Sequence, residues 1–121
     1  MRIKKIKIGI KDVKTALKEF AERAAAIERG EKVKKETGVY FTSFEAFRKI
    51  LTPKRLELLH IIRTQKPSSI NELSRMSKRD VKNVAEDVKY LEQIGLIEKK
   101  ETDNKTAPVT KYDRIALEIA V

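Results

Sequence analysis

Residues 66–100 read KPSSINELSRMSKRDVKNVAEDVKYLEQIGLIEKK, and the punctuation of this stretch decides the fold. Lys66-Pro67 ends whatever helix precedes it, because the residue before a proline is pushed out of the helical region. Ser69-Ile-Asn-Glu72 is a capping box: the Ser69 hydroxyl accepts from the third helical amide while Glu72 reaches back. It opens a short helix over about Ile70–Met76. Ser77-Lys-Arg-Asp80 repeats the signal eight residues later, which predicts a short helix, a tight turn and a longer helix. The longer helix runs to Ile94 and stops at Gly95, where a left-handed cap fits. At 100° per residue, Val81, Val84, Ala85, Val88 and Leu91 share one arc. Arg79, Lys82, Asn83, Glu86, Tyr90 and Gln93 take the opposite one.

Leu96–Lys100 and Val109–Ile119 read as two strands, with Val109, Ile115, Leu117 and Ile119 on one face. Glu101–Pro108 lies between them as the polar tip of a hairpin. Upstream, Ser43 caps a short helix carrying Phe44, Phe47, Ile50 and Leu51. Thr52-Pro53 then starts another, a cap residue followed by proline at the first helical position. Leu56, Leu59 and Ile62 give that helix an inner face. Leu58 and Ile61 widen it until the helix is nearly buried, so His60 is expected to be packed and neutral.

The N-terminal third has a different character. Ile6, Ile8 and Ile10 alternate with Lys7 and Gly9 as in a half-buried strand. Asp12 then caps a helix with Val13, Leu17, Phe20, Ala24 and Ile27 at three- and four-residue steps, and Gly30 stops it. The charged run Glu31–Gly38 reads as a linker. Residues 1–38 are therefore expected to form an N-terminal strand and helix that dimerises through the narrow apolar stripe, the alternative being that the helix folds back on its own domain, and residues 39–121 the main domain.

Charge must be judged by position. The formal net charge of +10 suggests an anionic partner. Residues 1–38, however, hold 12 basic and 6 acidic side chains, against 16 and 12 in residues 39–121. Most of the excess lies outside the region with the densest pattern, and a Lys/Glu-rich surface is also common in proteins from hot environments. With no Cys and one His, disulfides, thiolate metal sites and imidazole clusters are excluded, and no cofactor is expected. No nucleophile and base come together with His60, so an enzyme is not expected. No apolar run is long enough for a bilayer span, and lysines interrupt MRIKKIKIGI too often for a signal peptide. A cytoplasmic chain without a membrane partner is the expectation.

Helix, helix, turn, long helix and polar-tipped hairpin is the winged helix-turn-helix order. The expected fold class is mainly α with a small β-wing, with the N-terminal strand and helix as an extension. Read this way, the expected partner is double-stranded DNA. Arg79, Lys82 and Asn83 are placed for base contacts, since Arg matches guanine and Asn matches adenine. Glu86 can accept from a cytosine amino group or pair with Lys82 or Lys89. Lys78, Ser68 and Ser69 sit where helix starts favour phosphate. Lys99, Lys100, Asn104, Lys105 and Lys111 form a basic wing.

The runs Phe41-Thr-Ser-Phe44, Leu51-Thr-Pro-Lys-Arg-Leu-Glu-Leu-Leu59, Lys66-Pro-Ser-Ser-Ile70-Asn-Glu-Leu73, Arg79-Asp-Val-Lys-Asn-Val84 and Leu91-Glu-Gln-Ile-Gly-Leu-Ile97 resemble prokaryotic winged-helix transcriptional regulators. The resemblance is to archaeal and bacterial predicted regulators related in fold to the MarR and ArsR groups, and it covers about residues 39–119. It implies a homodimer on a pseudo-palindromic operator. The metal-sensing residues of the ArsR group have no counterpart in a chain with no Cys and a single His. The competing expectation is a winged-helix protein-interaction module, including an antitoxin-like one that binds a protein partner through the same face.

Overall fold

The structure, a computed structural model, describes residues 4–32 and 38–121. Ile6, Ile8 and Ile10 are buried along strand β1 (Lys5–Ile10), as the alternation requires. A strand cannot satisfy its backbone alone, and β1 finds partners on both sides. It lies between β2 (Gly38–Phe41) and β5 (Arg114–Ile119), parallel to both, in the order β2-β1-β5. The register sets Ile6 beside Ile115 and Ile8 beside Leu117. Tyr40 lies over Gly9 so closely that a Cβ there would sit 2.6 Å from the ring.

Helix α1 (Val13–Glu28) starts at Asp12, whose carboxylate accepts from the Thr15 amide at 2.7 Å. Helix α2 (Phe44–Ile50) starts at Ser43, and α3 (Pro53–Gln65) at Thr52 with Pro53 in its first turn. Each of these caps is the one legible in the sequence. Helices α4 (Ile70–Ser77) and α5 (Val81–Gln93) follow, then the antiparallel hairpin β3 (Glu98–Thr102) and β4 (Lys105–Val109). The result is an α+β, winged-helix-like fold. Its core joins Leu58, Ile61 and Ile62 of α3, Leu73 of α4, Val84, Val88 and Leu91 of α5, and Leu96 and Ile97 after Gly95.

Three expectations need correction. Ile6 and Ile8 belong to this same core, so the chain is not divided at residue 38. Helix α1 has no fully buried residue and contributes none to this core. The expected strand Val109–Ile119 is two strands. Thr110–Asp113 leaves the hairpin, the Asp113 amide donates to the Lys4 carbonyl at 2.7 Å, and β5 turns to run beside β1. The Asp113 carboxylate accepts from the Lys4 amide at 3.1 Å and pairs with Arg63. Those bonds hold it below the usual carboxylate range, the Lys4 amide first, against the opposing push of burial. Third, His60 is exposed on α3, because the buried face of that helix is Leu58, Ile61 and Ile62. Leu56, expected on the inner face, is also 42% exposed.

Because β1 fills the core from outside the helical unit, Ile8→Ala should lower global stability by about 2–5 kcal/mol, as for a truncated core aliphatic. Chemical denaturation should give one transition with a reduced midpoint. A midpoint equal to wild type would mean that residues 5–10 do not fold with the rest.

Candidate nucleic-acid interface

The turn between α4 and α5 is built differently from two consecutive caps. Ser69 caps α4 as expected, accepting from the Glu72 amide at 3.1 Å. The Glu72 carboxylate does not close the box on Ser69; it takes the Ser68 hydroxyl at 2.7 Å. That bond is the main cause of a lowered Glu72 pKa, opposed by burial and supported by Arg75 and Lys105. Ser68 and Ser69 are thus engaged with Glu72. Ser77 ends α4 instead of starting α5, its hydroxyl donating to the Ser74 carbonyl at 3.2 Å. Lys78 takes the left-handed conformation (φ 56°) that stops the helix. Asp80 precedes α5 in extended geometry without a side-chain cap.

Val84, Val88 and Leu91 turn α5 inward, while Val81 (42% exposed) and Ala85 lie at the edge of that arc and are open. Lys82, Asn83 and Glu86 are exposed, as the helical projection predicts. Lys89 is exposed with them and was missed. Lys82, Glu86, Lys89 and Gln93 follow four- and three-residue steps, so the same projection contains it.

Arg79 is placed elsewhere. Its Nη2 donates to Asp87 Oδ2 at 2.6 Å, and its side chain is 21% exposed. Asp87 Oδ1 accepts from Arg55 Nε at 2.9 Å. Arg55 in turn donates to the Lys49 and Ile50 carbonyls at 3.1 and 2.7 Å and stacks over Tyr90, 4.3 Å from the ring centroid. One carboxylate therefore ties the start of α3, the end of α2 and the α4–α5 turn to the middle of α5. Burial pushes the Asp87 carboxyl up, but the hydrogen bonds and charges of Arg79 and Arg55 outweigh it and leave it lowered. Two guanidiniums share one anion, and Arg79 Nη1 is buried with no hydrogen-bond partner among the described residues. No pattern in the sequence marks this pairing, since Arg55 and Asp87 are 32 residues apart.

The hairpin is tighter than expected. Its tip is the pair Asp103-Asn104, with φ of 48° and 65°. Two positive φ values at the centre of a two-residue loop define a type I′ turn, whose twist matches that of the flanking strands. Strands therefore extend to Thr102 and from Lys105, where the reading of the sequence had a loop. Lys99, Lys100, Asn104, Lys105 and Lys111 are all exposed. Lys99 lies 3.9 Å from Glu92, and Lys111 lies 3.7 Å from Glu98. Among the described residues there is no cluster of three or more acidic or imidazole groups fit for a metal, and no helix is long and apolar enough to cross a membrane.

Asp87→Ala should cost about 2–3 kcal/mol, less than breaking a fully buried ion pair because this one is part-buried, yet two arginines lose their anion. The lowered Asp87 pKa fixes the sign of the pH dependence. Its contribution is complete above the ordinary Asp pKa near ~3.9 and is lost as pH falls through the folded value. Urea midpoints measured between neutral and acid pH should converge for wild type and Asp87→Ala. A constant difference down to the most acid pH would remove Asp87 from this role.

A search of curated proteins finds no match to this chain. The chain is similar in structure to a predicted DNA-binding transcriptional regulator from E. coli, with 20% identity and a TM-score of 0.50. That likeness covers 82% of this chain and 84% of the other, and it is a likeness of fold. Residues 50–117, from the end of α2 into β5, match the model of the HVO_A0114 family. Neither finding singles out the MarR or ArsR group. The chain belongs to the HVO_A0114 family.

Proposed function

We propose that the chain is a double-stranded DNA-binding transcriptional regulator that lays α5 in a major groove. The observation carrying this reading is the exposed row Lys82, Asn83 and Glu86 on α5, presented by the same core that holds the hairpin with Lys99, Lys100 and Lys105. Asn83 and Lys82 take base edges, and the hairpin lysines take phosphates or the minor groove. Lys78, in the turn before α5, takes phosphate. The likeness to a predicted DNA-binding transcriptional regulator from E. coli supports the same class of partner.

Arg79 joins the DNA contacts by exchanging Asp87 for a guanine or a phosphate. The exchange is tolerable because Asp87 keeps Arg55, at 2.9 Å. Ser68 and Ser69 contribute through the start of α4, where the dipole favours phosphate, while their hydroxyls stay on Glu72.

The regulator associates with a second copy through α1. Val13, Leu17, Phe20 and Ile27 are 57%, 63%, 72% and 62% exposed, an apolar stripe on a helix with no fully buried residue. Such stripes are covered by a partner in a stable protein. Association places two copies of α5 on a pseudo-palindromic site.

Selection from random duplexes, followed by binding of the selected operator, tests the DNA face. Asn83→Ala should relax preference at one base position by about 1–3 kcal/mol. Lys105→Ala should weaken all sequences alike and reduce the salt slope by about 0.9. Wild-type binding by both variants would mean the face is misassigned. Recovery of no duplex, with a stoichiometric protein partner in a pull-down, would favour the protein-module reading. Leu17→Glu with Phe20→Glu should lower the mass found by sedimentation at tens of micromolar chain. An unchanged mass would overturn the α1 contact.

A further inference from the structure

Strand β5 is an edge. It pairs with β1 on one side only, and no described strand covers the other. The Arg114 and Ala120 amides both donate inward to β1, to Lys4 and Ile10. Successive residues of a strand alternate the direction of their backbone groups, so Ile115, Leu117 and Ile119 aim theirs outward. The same edge carries apolar side chains in the open: Leu117 is 45% exposed and Ile119 48%. An open edge of this kind is a template for strand addition.

Within β5, the run Arg114-Ile-Ala-Leu-Glu118 is complementary to itself when reversed about Ala116. An antiparallel copy centred there sets Arg114 against Glu118 of the partner subunit, twice by symmetry. Ile115 then faces Leu117 of the partner subunit, and these are the residues whose backbone groups point outward. They form the hydrogen-bonded pairs, while the charged pairs fall at non-hydrogen-bonded positions, where side chains are closest. Ala116 meets itself on the two-fold axis, where its small side chain fits without conflict. Shifting the centre to Ile115 or Leu117 puts Glu118 opposite Tyr112 or Ala116 and loses both charge pairs. Glu118, 69% exposed, holds Lys7 at 3.0 Å and has a second oxygen for the new partner.

We propose that β5 pairs antiparallel with β5 of a second copy in the register centred on Ala116, making one six-stranded sheet from two three-stranded ones. The occupant is this chain itself, because the charge pattern of the edge is reciprocal, as an isologous contact demands. This contact is separate from the α1 stripe. Glu19 and Arg23 of α1 line a cavity over the sheet with Lys7 and Tyr40, and the apolar stripe is left open. Pairs joined through α1 would thus link edge to edge.

The test removes the first contact and then probes the second in the full chain. With Leu17→Glu and Phe20→Glu in place, sedimentation at 20–200 µM, an order-of-magnitude range for protein pairing, should still show a two-copy species. Adding Arg114→Glu should reduce it to one copy, and adding Glu118→Arg as well should restore it. The chain has no Cys, so Ala116→Cys in the wild-type background should oxidise to a covalent dimer through that position alone. A single-copy species before Arg114→Glu is added, or no covalent dimer from Ala116→Cys, would overturn the edge contact. Loss of association by the α1 substitutions alone would leave the α1 reading standing without it. Should the charge variants lose their thermal transition, the Ala116→Cys result decides by itself.

Discussion

Asp87 is the point on which the placement of α5 depends. A carboxylate this enclosed is unfavourable without cations, and Arg55 and Arg79 reach it from two different directions. Arg55 also closes the last carbonyls of α2 and stacks on Tyr90, so one guanidinium serves a helix end, an anion and a ring. Hydrophobic packing of Val84, Val88 and Leu91 decides that α5 is buried on one side. That packing also sets the rotation of the helix, since it chooses the inward face. The directional contacts at Asp87 add to it by tying the middle of α5 to the start of α3 and to the α4–α5 turn.

The local elements were largely legible because each rests on short-range chemistry. Asp12, Ser43, Thr52 and Ser69 all cap the helices their positions suggest. Gly95, at φ 84°, ends the long helix region as a residue without a Cβ can. Ser77 failed as a cap because Lys78 adopts a left-handed conformation that the letters around it do not signal. Asp103-Asn104 was legible as a turn but was set in too long a loop, since Lys105-Thr-Ala-Pro108 lacks the alternation of a strand.

The long-range pairings were not legible. Nothing in Lys5–Ile10 says that its neighbour is Arg114–Ile119, because parallel pairing links segments by topology and not by any local signal. The same limit concealed Arg79. As a free side chain it belongs with Lys82 and Asn83 on the helical projection. Asp87, eight residues on, draws it inward instead. The candidate face therefore divides into two kinds of residue, those open on the surface and one held by an internal anion.

The pairing of β1 with β5 also governs the order in which the chain can be completed. The contacts among α3, α4 and α5 join neighbours in sequence, whereas β1 must wait for a strand more than a hundred residues later, with Lys5 beside Arg114. Contacts of such separation form slowly, because a long loop must close before they return any stability. On the ribosome, the helical unit has all its residues before β5 emerges, while Ile6 and Ile8 lack one of their two flanking strands. Strand β1 is thus made well before it can be enclosed on both sides, and for that interval its unpaired edge is open to other chains.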